Sequence, residues 1–164
     1  MDSSTHAPAP AVSLVGRTVP EFSAASTAGV FSLAAHRGTA IVLYFYPKDD
    51  TPGCTTESRE FSQAAAHFEA MGARIVGVSR DSLASHAKFR AKYELPFELI
   101  ADTDEALCAL FGVMKQKNMY GKQVRGIERS TFLIDAQGVV RAEWRGVKVP
   151  GHVDAVLQAV RALA

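Results

Sequence analysis

Cysteine is scarce in this 164-residue chain, which carries only Cys54 and Cys108. Two thiols can close at most one disulfide, so the dense disulfide framework of a small secreted domain is excluded. There is no C-x-x-C, which argues strongly against a thioredoxin-like disulfide oxidoreductase. The five histidines, His6, His36, His67, His86 and His152, are scattered singly and none lies at metal-ligand spacing from a cysteine, so no metal site is expected. A charge excess is lacking as well: 18 Lys and Arg face 17 Asp and Glu, with no long basic run, and nucleic acid is not an expected partner. No Gly-rich phosphate loop is present, which leaves a nucleotide-binding role without support. The longest apolar run, Ala40 to Tyr46, is far too short for a bilayer. The opening stretch MDSSTHAPAPAVSLV has neither a basic start nor an adequate apolar segment. It reads as a flexible lead-in over residues 1–10, followed by one domain over 11–164 in a cytoplasmic setting.

The composition that remains, 48% hydrophobic and 21% charged, is that of an ordinary globular domain. Thr39 to Tyr46 is a continuous β-branched and aromatic run, as expected of a strand buried on both faces. Pro47 ends it, and a polar loop, Lys48 to Gly53, follows. From Cys54 the pattern turns helical, with Phe61, Ala64, Ala65, Phe68 and Met71 on one side and Gly72 as the stop. A strand over Ala73–Ser79, a helix over Ser82–Tyr93 capped by Asp81 or Ser82, a short strand over Phe97–Ile100 and a short helix over Asp104–Phe111 come next. The segment after Phe111 reads as a loop. Thr131–Ile134 and Val139–Trp144 form a hairpin around Asp135–Gly138, and a last helix carries Val153, Val156, Leu157, Val160 and Leu163. A weaker hairpin lies near Phe22–Leu33. This alternation predicts an α/β thioredoxin-like fold: a mixed central β-sheet with helices on both faces and an N-terminal hairpin.

The chemistry concentrates at Cys54. The segment puts a cysteine in the first turn of a helix, directly after a buried strand and a loop stiffened by Pro47 and Pro52. Unpaired N–H groups and the positive end of the helix favour the thiolate, which is the nucleophilic form. Thr51, three residues earlier, is close enough across a turn for its hydroxyl to face the sulfur. A buried cysteine is often just a small hydrophobe. Here the neighbours are polar or turn-forming, which favours a reactive thiol.

Pro47-x-x-x-Thr51-x-x-Cys54 resembles the peroxidatic-cysteine motif of the peroxiredoxins. The longer string FYPKDDTPGCTTE is similar to the peroxiredoxin Q, or bacterioferritin comigratory protein, branch. So are the block from Met119-Tyr-Gly-Lys through Gly126-Ile-Glu-Arg-Ser-Thr-Phe-Leu-Ile-Asp135 and the stretch Asp81–Asp102. The resemblance spans roughly residues 10 to 164. It implies that Cys54 attacks a peroxide oxygen and becomes a sulfenic acid, and that Thr51 hydrogen-bonds sulfur and peroxide. It also implies that Arg129 aims its guanidinium at the thiolate, that Pro47 shields the sulfur, and that Glu57 supports by orienting Arg129. Arg125 is a competing arginine, but Arg129 occupies the matching position. No cofactor is implied, because sulfur alone can run the chemistry.

The sequence departs from the resemblance at Arg59, where many members of the branch have a resolving cysteine. Cys108 is the only internal substitute, and beside Leu107, Leu110 and Phe111 it reads more readily as a packed core thiol. One-cysteine-type turnover is therefore expected, with hydrogen peroxide or organic hydroperoxides as substrates. Thioredoxin, glutaredoxin or glutathione would serve as the external thiol reductant. The alternatives are a resolving role for Cys108 and a peroxide sensor or chaperone that uses the same Cys54. The branch implies a monomer or weak dimer.

Overall fold

The computed structural model describes residues 12–163, so the lead-in expected over residues 1–10 lies outside the described residues. A hairpin, β1 (Ser23–Ser26) and β2 (Gly29–Ser32), precedes a 3-10 turn at Ala34–His36. The succession β3 (Ala40–Phe45), α1 (Pro52–Ala70), β4 (Ala73–Ser79), α2 (Leu83–Tyr93), β5 (Leu99–Ala101) and α3 (Ala106–Phe111) then runs as two consecutive crossovers. Next come β6 (Met114–Met119), β7 (Lys122–Ile127), β8 (Ser130–Ile134), β9 (Val140–Arg145) and α4 (His152–Arg161). Seven strands form one mixed sheet in the order β2-β1-β5-β4-β3-β8-β9. Within it β3, β4 and β5 are parallel, and β8 runs antiparallel to β3 with Phe45 opposite Ser130.

β3 is buried along its whole length, as its unbroken apolar run predicts. Its side chains alternate between two cores. Val42, Tyr44 and Tyr46 join Phe61 and Phe68 of α1, Phe89 of α2 and Val153, Val156, Leu157 and Val160 of α4. Ile41, Leu43 and Phe45 point the other way, to Leu107, Cys108 and Phe111 of α3 and to Phe132 and Ile134 of β8. Three helices therefore cover one face. The short α3 and the N-terminal segments cover the other.

Local signals set the element ends. Ser82 caps α2, its side chain accepting from Ser85 N, and α1 ends at Met71 with Gly72 at φ 75°. The expected loop after Phe111 is a correction. Met114–Met119 and Lys122–Ile127 pair as a separate two-stranded ribbon turning at Tyr120-Gly121. The ribbon is largely exposed apart from Ile127, so it carries no one-sided apolar alternation to mark it as strand.

Gly77 on β4 is required by packing. A β-carbon there would sit 2.8 Å from Leu99 Cδ2 and 2.9 Å from Tyr44 Cζ, and the Tyr44 hydroxyl is fixed by a 2.8 Å bond with Ser58 Oγ. Gly77→Ala is expected to cost about 1–3 kcal/mol, read as a lower urea midpoint at unchanged slope. An unchanged midpoint would show that the Tyr44 ring yields freely.

Candidate active site

The loop from Pro47 to Thr51 carries the chain from the end of β3 to the start of α1. Thr51 is the N-cap in extended backbone (φ −96°, ψ 155°) and Pro52 opens the helix. Cys54 thus falls in the first turn, where backbone N–H groups have no intrahelical acceptor. That turn contains no acidic residue, so no carboxylate competes for its positive end. The cysteine itself is 1% exposed.

Arg129 reaches this turn from the link between β7 and β8. Its position follows from the sheet register, since Ser130 lies opposite Phe45, the last residue of β3. The guanidinium splits its donors: Nη2 donates to Cys54 Sγ at 3.5 Å and Nη1 to Glu57 Oε1 at 2.7 Å. Glu57, one helical turn after Cys54, is fully buried. Gly53 makes room for this arrangement, because a β-carbon there would lie 3.1 Å from Arg129 Nη2. In the sequence Gly53 marks only the end of the polar loop; its signal is a glycine in the first turn of a helix, where the backbone needs no special φ.

The electrostatics are those of a dry site. Burial pushes the Glu57 carboxyl up to about 7, against the charge and hydrogen bond of Arg129, with Glu60 adding to the rise. Burial opposes the charge on Arg129, but Glu57 and Cys54 outweigh it and the guanidinium holds its proton more tightly than usual. The pair secures the cation without fully repaying the carboxylate for its lost water. A guanidinium at this distance stabilises negative charge on sulfur.

Pro47 is half-buried where the loop leaves β3, and Thr51 is half-buried three residues before Cys54. The Thr51 hydroxyl donates to Lys48 O at 2.8 Å, and no hydrogen bond joins it to the sulfur. The hydroxyl proton is thus given to the loop and not to Sγ. The bond keeps the hydroxyl proton in the loop and leaves its oxygen free to accept. Arg125, the competing arginine, instead pairs with Glu105 at 2.6 Å.

Cys108 is fully buried, in the cluster on the opposite face of the sheet from Cys54, and both thiols are free. Asp102 accepts from the backbone N–H of Leu107 and Cys108 at 3.0 and 2.8 Å. Burial and Asp102 hold the Cys108 thiol far above the ordinary thiol range. It is a weak nucleophile where it stands.

The fold also gathers residues that the sequence presents as isolated. Asp49, Asp81 and His86 bring their side-chain ligand atoms within 4.8 Å of one another. These atoms are already engaged. Asp49 accepts from Tyr46 Oη (2.6 Å) and Ser85 Oγ (2.8 Å), and His86 Nδ1 lies 2.7 Å from Asp49 Oδ2. His86 Nε2 donates to Ile100 O at 2.9 Å, and Asp81 accepts from Asp49 N at 2.9 Å. The group pins the loop before Cys54 to α2 and to the ends of β4 and β5. No sequence spacing announces it, since 32 and 37 residues separate Asp49 from its partners.

Residues 15–143 match the family model described as the AhpC/TSA family. The Peroxiredoxin Bcp of Xanthomonas campestris pv. campestris is 58% identical over 133 residues, covering 81% of this chain and 83% of that protein. The Peroxiredoxin Bcp of Bacillus subtilis is 45% identical over 148 residues, 90% of this chain and 94% of that one. Among solved structures, Xylella fastidiosa PrxQ superposes with a TM-score of 0.89 at 41% identity, covering 94% and 99% of the two chains.

The raised Glu57 carboxyl has a defined consequence for stability. The native state keeps its proton to about 7, whereas the unfolded chain releases it near the ordinary value of 4.5. The stability this proton lends is complete below the lower value and is lost as pH rises through the upper one. The melting temperature of the wild type, measured against Glu57→Gln, is expected to fall between about pH 5 and pH 8. Parallel curves would show that Glu57 does not titrate in that window.

Proposed function

Because the chain belongs to the AhpC/TSA family, on the Bcp or peroxiredoxin Q branch of thiol peroxidases, we propose that Cys54 is its peroxidatic nucleophile and that it turns over by a one-cysteine cycle. The observation that carries this reading is the guanidinium of Arg129 set between Glu57 and the sulfur at a helix start. The thiolate attacks the terminal oxygen of the peroxide. The S–O bond forms as the O–O bond breaks, and the departing alkoxide or hydroxide takes a proton and leaves as alcohol or water. Charge moves from sulfur to the leaving oxygen during this step. Arg129 faces both ends of that movement and is already in place, so no reorganisation is needed.

Thr51 suits the second contact. With its proton given to Lys48 O, its oxygen is left to accept the peroxide O–H and orient the O–O bond toward sulfur. Pro47, half-buried where the loop leaves β3, offers no backbone donor that would hold water there. Glu57 serves Arg129, accepting its Nη1 on Oε1 at 2.7 Å.

For recycling, an external thiol attacks the sulfenic sulfur, releases water and leaves a mixed disulfide. A second thiol then frees Cys54. Two features support this over resolution by Cys108: the position five residues beyond Cys54 is Arg59, and Cys108 sits protonated across the sheet. A thiol of thioredoxin, glutaredoxin or glutathione can act only after the first turn of α1 opens, because Cys54 is 1% exposed. Both hydrogen peroxide and organic hydroperoxides fit the reading. The Xanthomonas bacterioferritin comigratory protein, 53% identical to this chain, has been described with alkyl peroxide reduction activity.

Steady-state peroxidase assays with a supplied thiol test the assignment. Cys54→Ser is expected to abolish turnover, Arg129→Ala to lower kcat/KM by about 10²–10³-fold, and Cys108→Ser to leave the rate unchanged. Full activity in Cys54→Ser would overturn the reading. A single turnover followed by arrest in the wild type would favour the sensor instead.

A further inference from the structure

The chemistry above uses one oxygen of Glu57. The other, Oε2, is buried and has no hydrogen-bond partner among the described residues, which is unusual for a buried carboxyl and costly to leave so. It faces His152 Nε2 at 4.0 Å. The charged and titratable groups around Glu57 are Cys54 and Glu60 on α1, Tyr44 on β3, Arg129 on the β7–β8 link and His152 on α4. Arg129 is committed to Oε1, and the Tyr44 hydroxyl to Ser58.

We propose that His152 is a positioning residue of the peroxide site, its ring supplying the hydrogen bond that Glu57 Oε2 lacks and thereby fixing the arginine that faces Cys54. The inference rests on the reading of Cys54 as the peroxidatic nucleophile. The ring is held firmly for this task. It occupies the first position of α4, packs edge-on against Phe61 and Trp144, and has Nε2 2.8 Å from Thr131 Oγ1.

Its charge state suits a hydrogen-bonding role and not an ionic one. Burial and the charge of Arg129 push His152 down to about 4, so near neutral pH the ring is uncharged. A neutral imidazole offers one N–H and one bare nitrogen, in either order. With Glu57 ionised, Nε2–H donates to Oε2. With Glu57 protonated, the carboxyl O–H donates to a bare Nε2. Nε2 carries a single hydrogen or a single lone pair, so its 2.8 Å contact with Thr131 Oγ1 becomes the second arm of a three-centre bond. Closing the 4.0 Å separation by about 1 Å completes the bond. Glu57 then keeps Nη1 of Arg129 on Oε1, which leaves Nη2 aimed at the sulfur.

The test compares wild type, His152→Phe and His152→Gln by two rates at neutral pH: iodoacetamide alkylation of Cys54 in the Cys108→Ser background, and single-turnover oxidation by hydrogen peroxide. Phe fills the space without a polar atom, and Gln restores an amide that donates and accepts. The Phe variant is expected to be slower in both by about tenfold, the scale of one lost hydrogen bond, and the Gln variant to recover to within about twofold. A Phe variant as fast as wild type, or a Gln variant as slow as Phe, would overturn the proposal. Alkylation needs no peroxide, so a failure of the peroxidatic reading would show separately, as an unoxidised Cys54 in the wild type. Should the Phe variant not fold, nitrogen NMR of the His152 ring decides. Its signals should move with a midpoint near the Glu57 value of about 7 while the ring stays neutral, and should be flat in Glu57→Gln. Flat signals in the wild type would contradict the contact.

Discussion

One guanidinium organises this molecule's chemistry. Arg129 lies within hydrogen-bond reach of a carboxyl that has lost its water and of a sulfur at the start of a helix. Each of the three groups is poorly placed without the others. Glu57 alone would be an uncompensated buried acid, Arg129 a half-buried cation with nothing to face, and Cys54 an ordinary packed thiol. Together they form a site in which negative charge on sulfur would be met by a donor already in position, the basis of the proposed peroxide chemistry.

The sheet makes that arrangement possible and also limits it. β3 carries the loop that ends at Cys54, and its antiparallel neighbour β8 starts just after Arg129, so one register fixes both halves of the site. The Asp49–His86 network ties the intervening loop to α2 and holds the first turn of α1 in place. The same sheet sends alternate side chains to two separate cores. One contains Cys54; the other contains Cys108, whose thiol is buried and held protonated. The second cysteine therefore stands across the sheet from Cys54, which is why the proposed cycle turns to an external thiol.

Much of this was legible in the residues themselves. The fully apolar β3, the capped α2 and the hairpin of β8 and β9 each bury a face with a simple period, and periodicity predicts them. Cys54 and Arg129 were legible because each sits in a distinctive local string. The polar ribbon of β6 and β7 was not, since two exposed strands leave no hydrophobic alternation to read. Nor was the direction of the Thr51 hydroxyl, which turns to Lys48 O because that carbonyl lies across the tight turn. Asp49, His86 and His152 act through partners brought near only by the finished fold. Spacing along the chain carries no trace of such pairs.

The most direct test of the account is intact and peptide-level mass after one equivalent of hydrogen peroxide, with and without a sulfenic-acid trap, on wild type and Cys108→Ser. The account predicts one oxygen gained, trappable on Cys54, in both proteins. Loss of two hydrogens in the wild type, with Cys54 joined to Cys108 and no such product in Cys108→Ser, would contradict it.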